Sequence, residues 1–217
     1  MTKKFLKVLV TGGPTRAYID RVRYLSNYST GELSFQICRS LLQKKCNVAL
    51  VAGPCAQPFQ KLKLSHLKNV ETATQMADEV MHLCKVFKPD VAIFSAAVLD
   101  FEPKKISEGK VSSAKKEWVI RLKPTRKIID EVGERFPAIA RIGFKLEWEA
   151  MNRAEIRKYG QKKLKDQGLE GLLLNFLPQI TKAKHPGYFF THDGPEIKVE
   201  SKLEISKAIT SYILKDA

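Results

Sequence analysis

A chain of 217 residues with 44% hydrophobic and 28% charged residues has the composition of a soluble globular domain, which argues against disorder. No apolar run approaches the roughly 20 residues that span a bilayer, which excludes a membrane-spanning helix. A net charge of +15 suits either nucleic acid or polyanionic small molecules such as nucleoside triphosphates, and charge alone does not choose between them. The lysine pairs Lys3-Lys4, Lys44-Lys45, Lys104-Lys105, Lys115-Lys116 and Lys162-Lys163 are spread along the chain. They form no single basic helix and match no nucleic-acid module, a pattern that favours solvated lysine-rich faces and makes nucleic acid an unlikely partner.

In chain order, Met1-Thr2-Lys3-Lys4 leads straight into a strand pattern without an apolar leader, and a cytoplasmic protein is expected. Short apolar runs at 5–10, 47–52, 90–95, 118–123, 139–146 and 170–175 read as buried strands, with helices in the gaps between them. The first run ends in Thr11-Gly12-Gly13-Pro14-Thr15-Arg16, where glycines let backbone N–H groups approach an anion. Asp20 to Gly31 then supplies Arg21, Arg23, Asn27, Ser29 and Thr30 just before a helical pattern, the equipment for a phosphorylated ligand. From Thr74 to Phe87, Met76, Val80, Leu83, Cys84 and Phe87 share one helical face, which reads as core. Between Ser95 and Trp118 more than twenty residues carry few apolar positions, several lysines, Pro103 and Gly109, the profile of a lid. Gly187 to Thr191 and Glu196 to Glu200 flank His192-Asp193-Gly194-Pro195 as a hairpin, and a closing helix is expected from Lys202 to Leu214. This alternation predicts a doubly wound α/β fold whose ligands bind beyond the carboxyl ends of the strands.

Other chemistries find less support. Cys38, Cys46, Cys55 and Cys84 lack CxxC spacing and read as reduced structural thiols. His66, His82, His185 and His192 show no HExxH or Cys/His clustering, and no GxSxG is present. The glycine turn lacks the full GxGxxG, and Ala52-Gly53-Pro54-Cys55 offers no acidic ribose clamp after the second strand, which disfavours an NAD(P)-dependent reductase. That reductase and a non-catalytic nucleic-acid-binding protein remain the alternatives.

The ordered set Gly12-Gly13-Pro14-Thr15-Arg16, Asp20, Val22-Arg23-Tyr24-Leu25-Ser26-Asn27, Ser29-Thr30-Gly31, Ser95-Ala96-Ala97-Val98-Leu99-Asp100-Phe101, Lys110 and Gly143-Phe144-Lys145-Leu146-Glu147 resembles the phosphopantothenoylcysteine synthetases, across nearly the whole chain. The resemblance implies a Rossmann-like α/β fold, a homodimer with shared sites, and a single domain over 1–217 with a flexible loop at about 101–117. It implies ligation of L-cysteine to 4′-phosphopantothenate through an acyl-nucleotidylate made from CTP or ATP, with Mg²⁺ accompanying the triphosphate. The flavin-binding decarboxylase half that many bacterial members carry is not expected, nor is a flavin. Carried over by position, Asn27 supports turnover of the intermediate and Lys110 approaches phosphate charge. Arg23 reaches phosphopantothenate in a neighbouring subunit, while Ala96, Ala97 and Asp100 form the substrate loop. Gly12, Gly13, Ser29, Gly31, Phe144 and Asn175 fall on the nucleotide side. Ser34 stands where the family has a glycine, and Val111-Ser112-Ser113 replaces a second loop cation. No residue is assigned to a metal.

Overall fold

A computed structural model describes residues 5–149, 151–181, 183–192 and 194–215; the expected turn residue Asp193 and the pair Lys3-Lys4 lie outside them. Lys7–Gly12 (β1) is followed by a small ribbon, Arg16–Tyr18 (β2) and Tyr24–Ser26 (β3). Then come Glu32–Gln43 (α1), Asn47–Ala52 (β4), His66–Asn69 (β5), Ala73–Val86 (α2) and Val91–Phe94 (β6). Phe101–Pro103 (β7) and Leu122–Pro124 (β8) precede Ile128–Arg135 (α3) and Ala140–Glu147 (β9). The chain continues through Arg153–Asp166 (α4), Gly171–Phe176 (β10), Gly187–Thr191 (β11), Ile197–Val199 (β12) and Lys202–Ile213 (α5).

Eight strands form one sheet in the order β12-β11-β10-β9-β6-β1-β4-β5. From β5 to β10 every neighbour is parallel, and β11 and β12 add an antiparallel edge. Renumbered among themselves, the parallel strands run 3-2-1-4-5-6, the doubly wound dinucleotide-fold order. The central strands are apolar on both faces because both are covered. Val8 and Val10 of β1 pack with Ile37 and Leu41 of α1 and Ile205 and Ile209 of α5. Leu9, one residue out of phase, packs on the other face with Met76 and Val80 of α2 and Val132 of α3. A third cluster joins Ile156 and Leu164 of α4 to Leu172, Leu174 and Phe190.

Helix starts follow their local chemistry. Thr72 and Gln75 form a reciprocal capping box at α2, and Asn152 and Glu155 another at α4. The Ser201 hydroxyl accepts from the Glu204 amide at 3.2 Å to open α5.

One expected strand is corrected. Residues 118–123 do not join the main sheet; only Leu122–Pro124 is extended, and it pairs antiparallel with β7 in a separate ribbon. Arg121 and Lys123 interrupt the apolar run and Pro124 ends it, so the segment cannot fill a strand slot buried on both faces. Val119 and Leu122 stay 70% and 41% exposed. The loop expected over about 101–117 likewise begins with a strand, β7.

Candidate active site

The order of the sheet reverses between β1 and β6, and the two loops leaving their carboxyl ends are stitched together there. The Ala97 amide donates to the Gly13 carbonyl at 2.9 Å, and Pro14 and Ala97 form an isolated parallel bridge. Beneath them two buried hydroxyls serve as pins: Thr11 Oγ1 accepts from the Ala96 amide at 3.3 Å, and Thr15 Oγ1 from the Leu99 amide at 3.0 Å. The Ser95 hydroxyl donates to the Thr11 carbonyl at 2.7 Å. Gly13 adopts φ +71°, and a Cβ there would stand 2.8 Å from the Gly53 carbonyl oxygen, so both conformation and space call for glycine.

Asn27 reaches this junction from the β2–β3 side. Its Nδ2 donates to the Val98 carbonyl at 3.0 Å, which ties it to the Ala96–Asp100 loop. Ser29 and Gly31 line the approach to α1, with the Gly31 amide 3.4 Å from Ser29 Oγ. Ser34 lies under Gly12, where a Cβ would stand 2.4 Å from its Oγ, and its hydroxyl donates to the Gly31 carbonyl at 2.7 Å. The extra side chain is therefore absorbed in the strand–helix contact.

Beyond β1, β6 and β9 opens a cavity of about 190 Å³, lined among others by Thr11, Ala96, Asp100, Lys127 and Phe144. Asp100 is ion-paired with Lys127, and Thr125 locks the loop by donating its hydroxyl to the Leu99 carbonyl at 2.5 Å and its amide to the Asp100 carbonyl at 2.9 Å. Thr125, Arg126 and Lys127 escaped the sequence reading. A signal was present: Arg126 and Lys127 stand at the amino end of α3, where the helix dipole disfavours cations unless anions offset them. Arg126 is held by Glu131 through Nε–Oε1 at 2.7 Å and Nη2–Oε2 at 2.6 Å, and by Asp78 at 2.5 Å. The hydrogen bond from Arg126 keeps Glu131 below the ordinary carboxylate range.

Arg23 and Lys110 belong to a neighbouring cluster. Arg23 Nη1 lies 3.0 Å from Asp20 Oδ2 and 3.3 Å from the Val111 carbonyl, and its guanidinium sits 5.3 Å from the centre of the Trp118 ring. Exposed Lys110 immediately precedes Val111. Asp20 is buried, which pushes its pKa up, but the backbone N–H groups of Val22, Val111 and Arg23, with the Arg23 charge, outweigh burial and hold it below the ordinary range. Asn175 stands apart from both groups. It is buried on β10, and its Nδ2 donates to the Pro186 carbonyl at 2.6 Å, where it supports the β10–β11 connection.

Among the described residues no three His, Cys, Asp or Glu side chains gather as a metal site. Nor is any helix there long and apolar enough to cross a membrane. Burial raises the Cys84 thiol to about 11 and pushes Cys38 higher still, which keeps both protonated.

Known proteins can be set against this geometry. Coenzyme A biosynthesis bifunctional protein CoaBC of Bacillus subtilis is 30% identical over 95% of this chain and 50% of its own length. The chain spans about half the length of the curated relatives it matches. The crystal structure of the DNA/pantothenate metabolism flavoprotein from Streptococcus pneumoniae superposes with a TM-score of 0.83 at 26% identity, covering 98% of this chain and 100% of that one. The C-terminal domain of a CoaBC protein superposes with a TM-score of 0.77 at 28% identity, covering 98% and 97%. The family model matches residues 4–216, and the chain belongs to the family of DNA/pantothenate metabolism flavoprotein C-terminal domains.

Proposed function

We propose that the chain is a phosphopantothenate–cysteine ligase of coenzyme A biosynthesis. The substrate carboxylate attacks the α-phosphate of CTP or ATP, the Pα–O bond to pyrophosphate breaks, and an acyl-nucleotidylate forms. The cysteine amine then attacks the acyl carbon, the nucleoside monophosphate leaves, and the amine proton passes to solvent. The observation that carries this reading is the convergence of the glycine turn, Asn27 and the Ala96–Asp100 loop on the β1/β6 switch point, through the Ala97–Gly13 and Asn27–Val98 hydrogen bonds.

The first step sets an anion against a polyanion, so the site must neutralise charge as it builds up in the transition state. In this reading Lys110 supplies a cation from the loop at 101–117, Lys127 stands at the cavity wall, and Arg23 clamps the phosphopantothenate phosphate of a partner subunit in a homodimer. Asn27 bonds the intermediate. Ala96 and Ala97 leave backbone groups open to the ligand, and Asp100 accepts from a substrate hydroxyl or amide. Gly12, Gly13, Ser29 and Gly31 receive phosphates, Phe144 packs near the nucleotide, and Asn175 acts at the edge of its site. Mg²⁺ would enter with the triphosphate and would supply charge neutralisation there, and no side chain is assigned to it. Reaction in the cytoplasm without a flavin completes the proposal.

The test is the product. Purified protein with 4′-phosphopantothenate, cysteine, Mg²⁺ and either nucleotide should yield phosphopantothenoylcysteine, and its absence with both nucleotides would refute the assignment.

A further inference from the structure

The segment that bears Lys110 meets the body of the protein at the β2–β3 turn. The Ser107 amide donates to the Ile19 carbonyl at 2.9 Å, and the Val111 amide to Asp20 Oδ2 at 3.2 Å. Asp20 is 1% exposed and divides its work between two oxygens. Oδ1 accepts from the Val22 and Arg23 amides, both at 2.8 Å, and so builds the turn itself. Oδ2 accepts from Val111 N at 3.2 Å and from Arg23 Nη1 at 3.0 Å, which fills the carboxylate's remaining acceptor sites. Arg23 also donates to the Val111 carbonyl at 3.3 Å and stacks near Trp118, so both ends of the 111–118 stretch abut the Asp20–Arg23 pair.

We propose that Asp20 is a positioning residue for the ligation: its Oδ2 pins Val111 and thereby sets where Lys110 stands against the substrate phosphates. This rests on the role given to Lys110 above. Asp20 is suited to the task because a buried carboxylate with four donors is held far more firmly than a surface loop contact. The same oxygen serves Arg23, so the two residues assigned to phosphate share one anchor.

Asp20→Asn tests the division of labour. An amide oxygen at the Oδ1 position keeps the two turn bonds, while its NH₂ at the Oδ2 position faces two donors. Amide hydrogen exchange should show Val111 exchanging about tenfold faster or more, with Val22 and Arg23 still protected. In the ligase assay kcat should fall with KM for cysteine unchanged, and because Asp20 also holds Arg23, additivity is read from the loop side: the double variant of Val111→Pro with Lys110→Gln should be no slower than Lys110→Gln alone. If Asp20→Asn disturbs the turn, Val111→Pro removes the same hydrogen bond from the loop side and should lower kcat alike. Unchanged Val111 exchange in Asp20→Asn, losses that multiply in the double variant, or full turnover in Val111→Pro would overturn the proposal. Full turnover in Lys110→Gln would instead sink the role of Lys110 and the catalytic half of this one, while Val111 exchange separately reports the seating of the loop.

Discussion

Thr15 is fully buried, yet its hydroxyl holds the Leu99 amide at the mouth of the cavity. Valine at this position preserves shape and removes the acceptor, leaving a backbone N–H to find another partner. Thr15→Val is expected to cost about 1–3 kcal/mol in denaturant unfolding and to raise KM for phosphopantothenate, because the Ala96–Asp100 loop loses a pin. For Lys110→Gln the expected loss is in kcat, about 2–4 kcal/mol of transition-state stabilisation, by analogy with other preorganised electrostatic groups. Asn27→Asp should slow conversion of the acyl-nucleotidylate more than its formation, seen as pyrophosphate release that outruns amide product in a single turnover.

Asp20 also makes a pH prediction. Its folded pKa lies below the unfolded value of about 3.9, so its stabilising contribution is complete above that value and disappears as pH falls through the folded pKa. Unfolding curves of the wild type and Asp20→Asn should therefore differ by a constant amount between about pH 5 and 7 and converge in more acid solution. A gap that widens on acidification would mean that Asp20 carries a raised pKa instead.

Among elements, legibility followed burial. β4 occupies 47–52 as the sequence indicates, and α2 and α5 fall within a residue or so of expectation, because their apolar stripes or runs coincide with two covered faces. The strand expected at 5–10 runs instead over Lys7–Gly12, since a parallel register with β4 and β6 carries pairing into the glycine turn. β5, with the sequence His-Leu-Lys-Asn at a sheet edge, has no apolar run to betray it. α4 is rich in Lys and Arg and shows itself mainly through its Asn152–Glu155 box. Its packing turns on Gly160, where a Cβ would stand 2.4 Å from the Phe190 ring. Alanine gains helix propensity of up to about 1 kcal/mol, but overpacking a closed contact costs about 1–3 kcal/mol, so Gly160→Ala should lower the melting temperature. The candidate site was legible where chemistry is local, as in the glycine turn that ends β1, where the φ of +71° at Gly13 calls for glycine. The Asp100–Lys127 pair and the Asp20–Val111 contact were not, since they join residues far apart in sequence that only the fold brings together.

On the scale of the whole molecule, the +15 charge and the cations near the switch point suit a reaction in which two ligands, phosphopantothenate and a nucleoside triphosphate, are polyanions. Arg23 and Asn27 flank β3 on either side, and in a homodimer with shared sites they would serve different centres. Inactive Arg23→Ala and Asn27→Ala proteins, mixed and re-equilibrated, should recover part of the activity because one mixed site carries neither lesion. No recovery despite verified subunit exchange would mean that each site is built within one chain. The deciding measurement is pyrophosphate release from purified protein with 4′-phosphopantothenate and Mg²⁺, using CTP and ATP separately, with and without cysteine. Release should depend on phosphopantothenate with at least one nucleotide, and phosphopantothenoylcysteine should form once cysteine is added; folded protein that releases no pyrophosphate with either nucleotide is not a ligase of this kind.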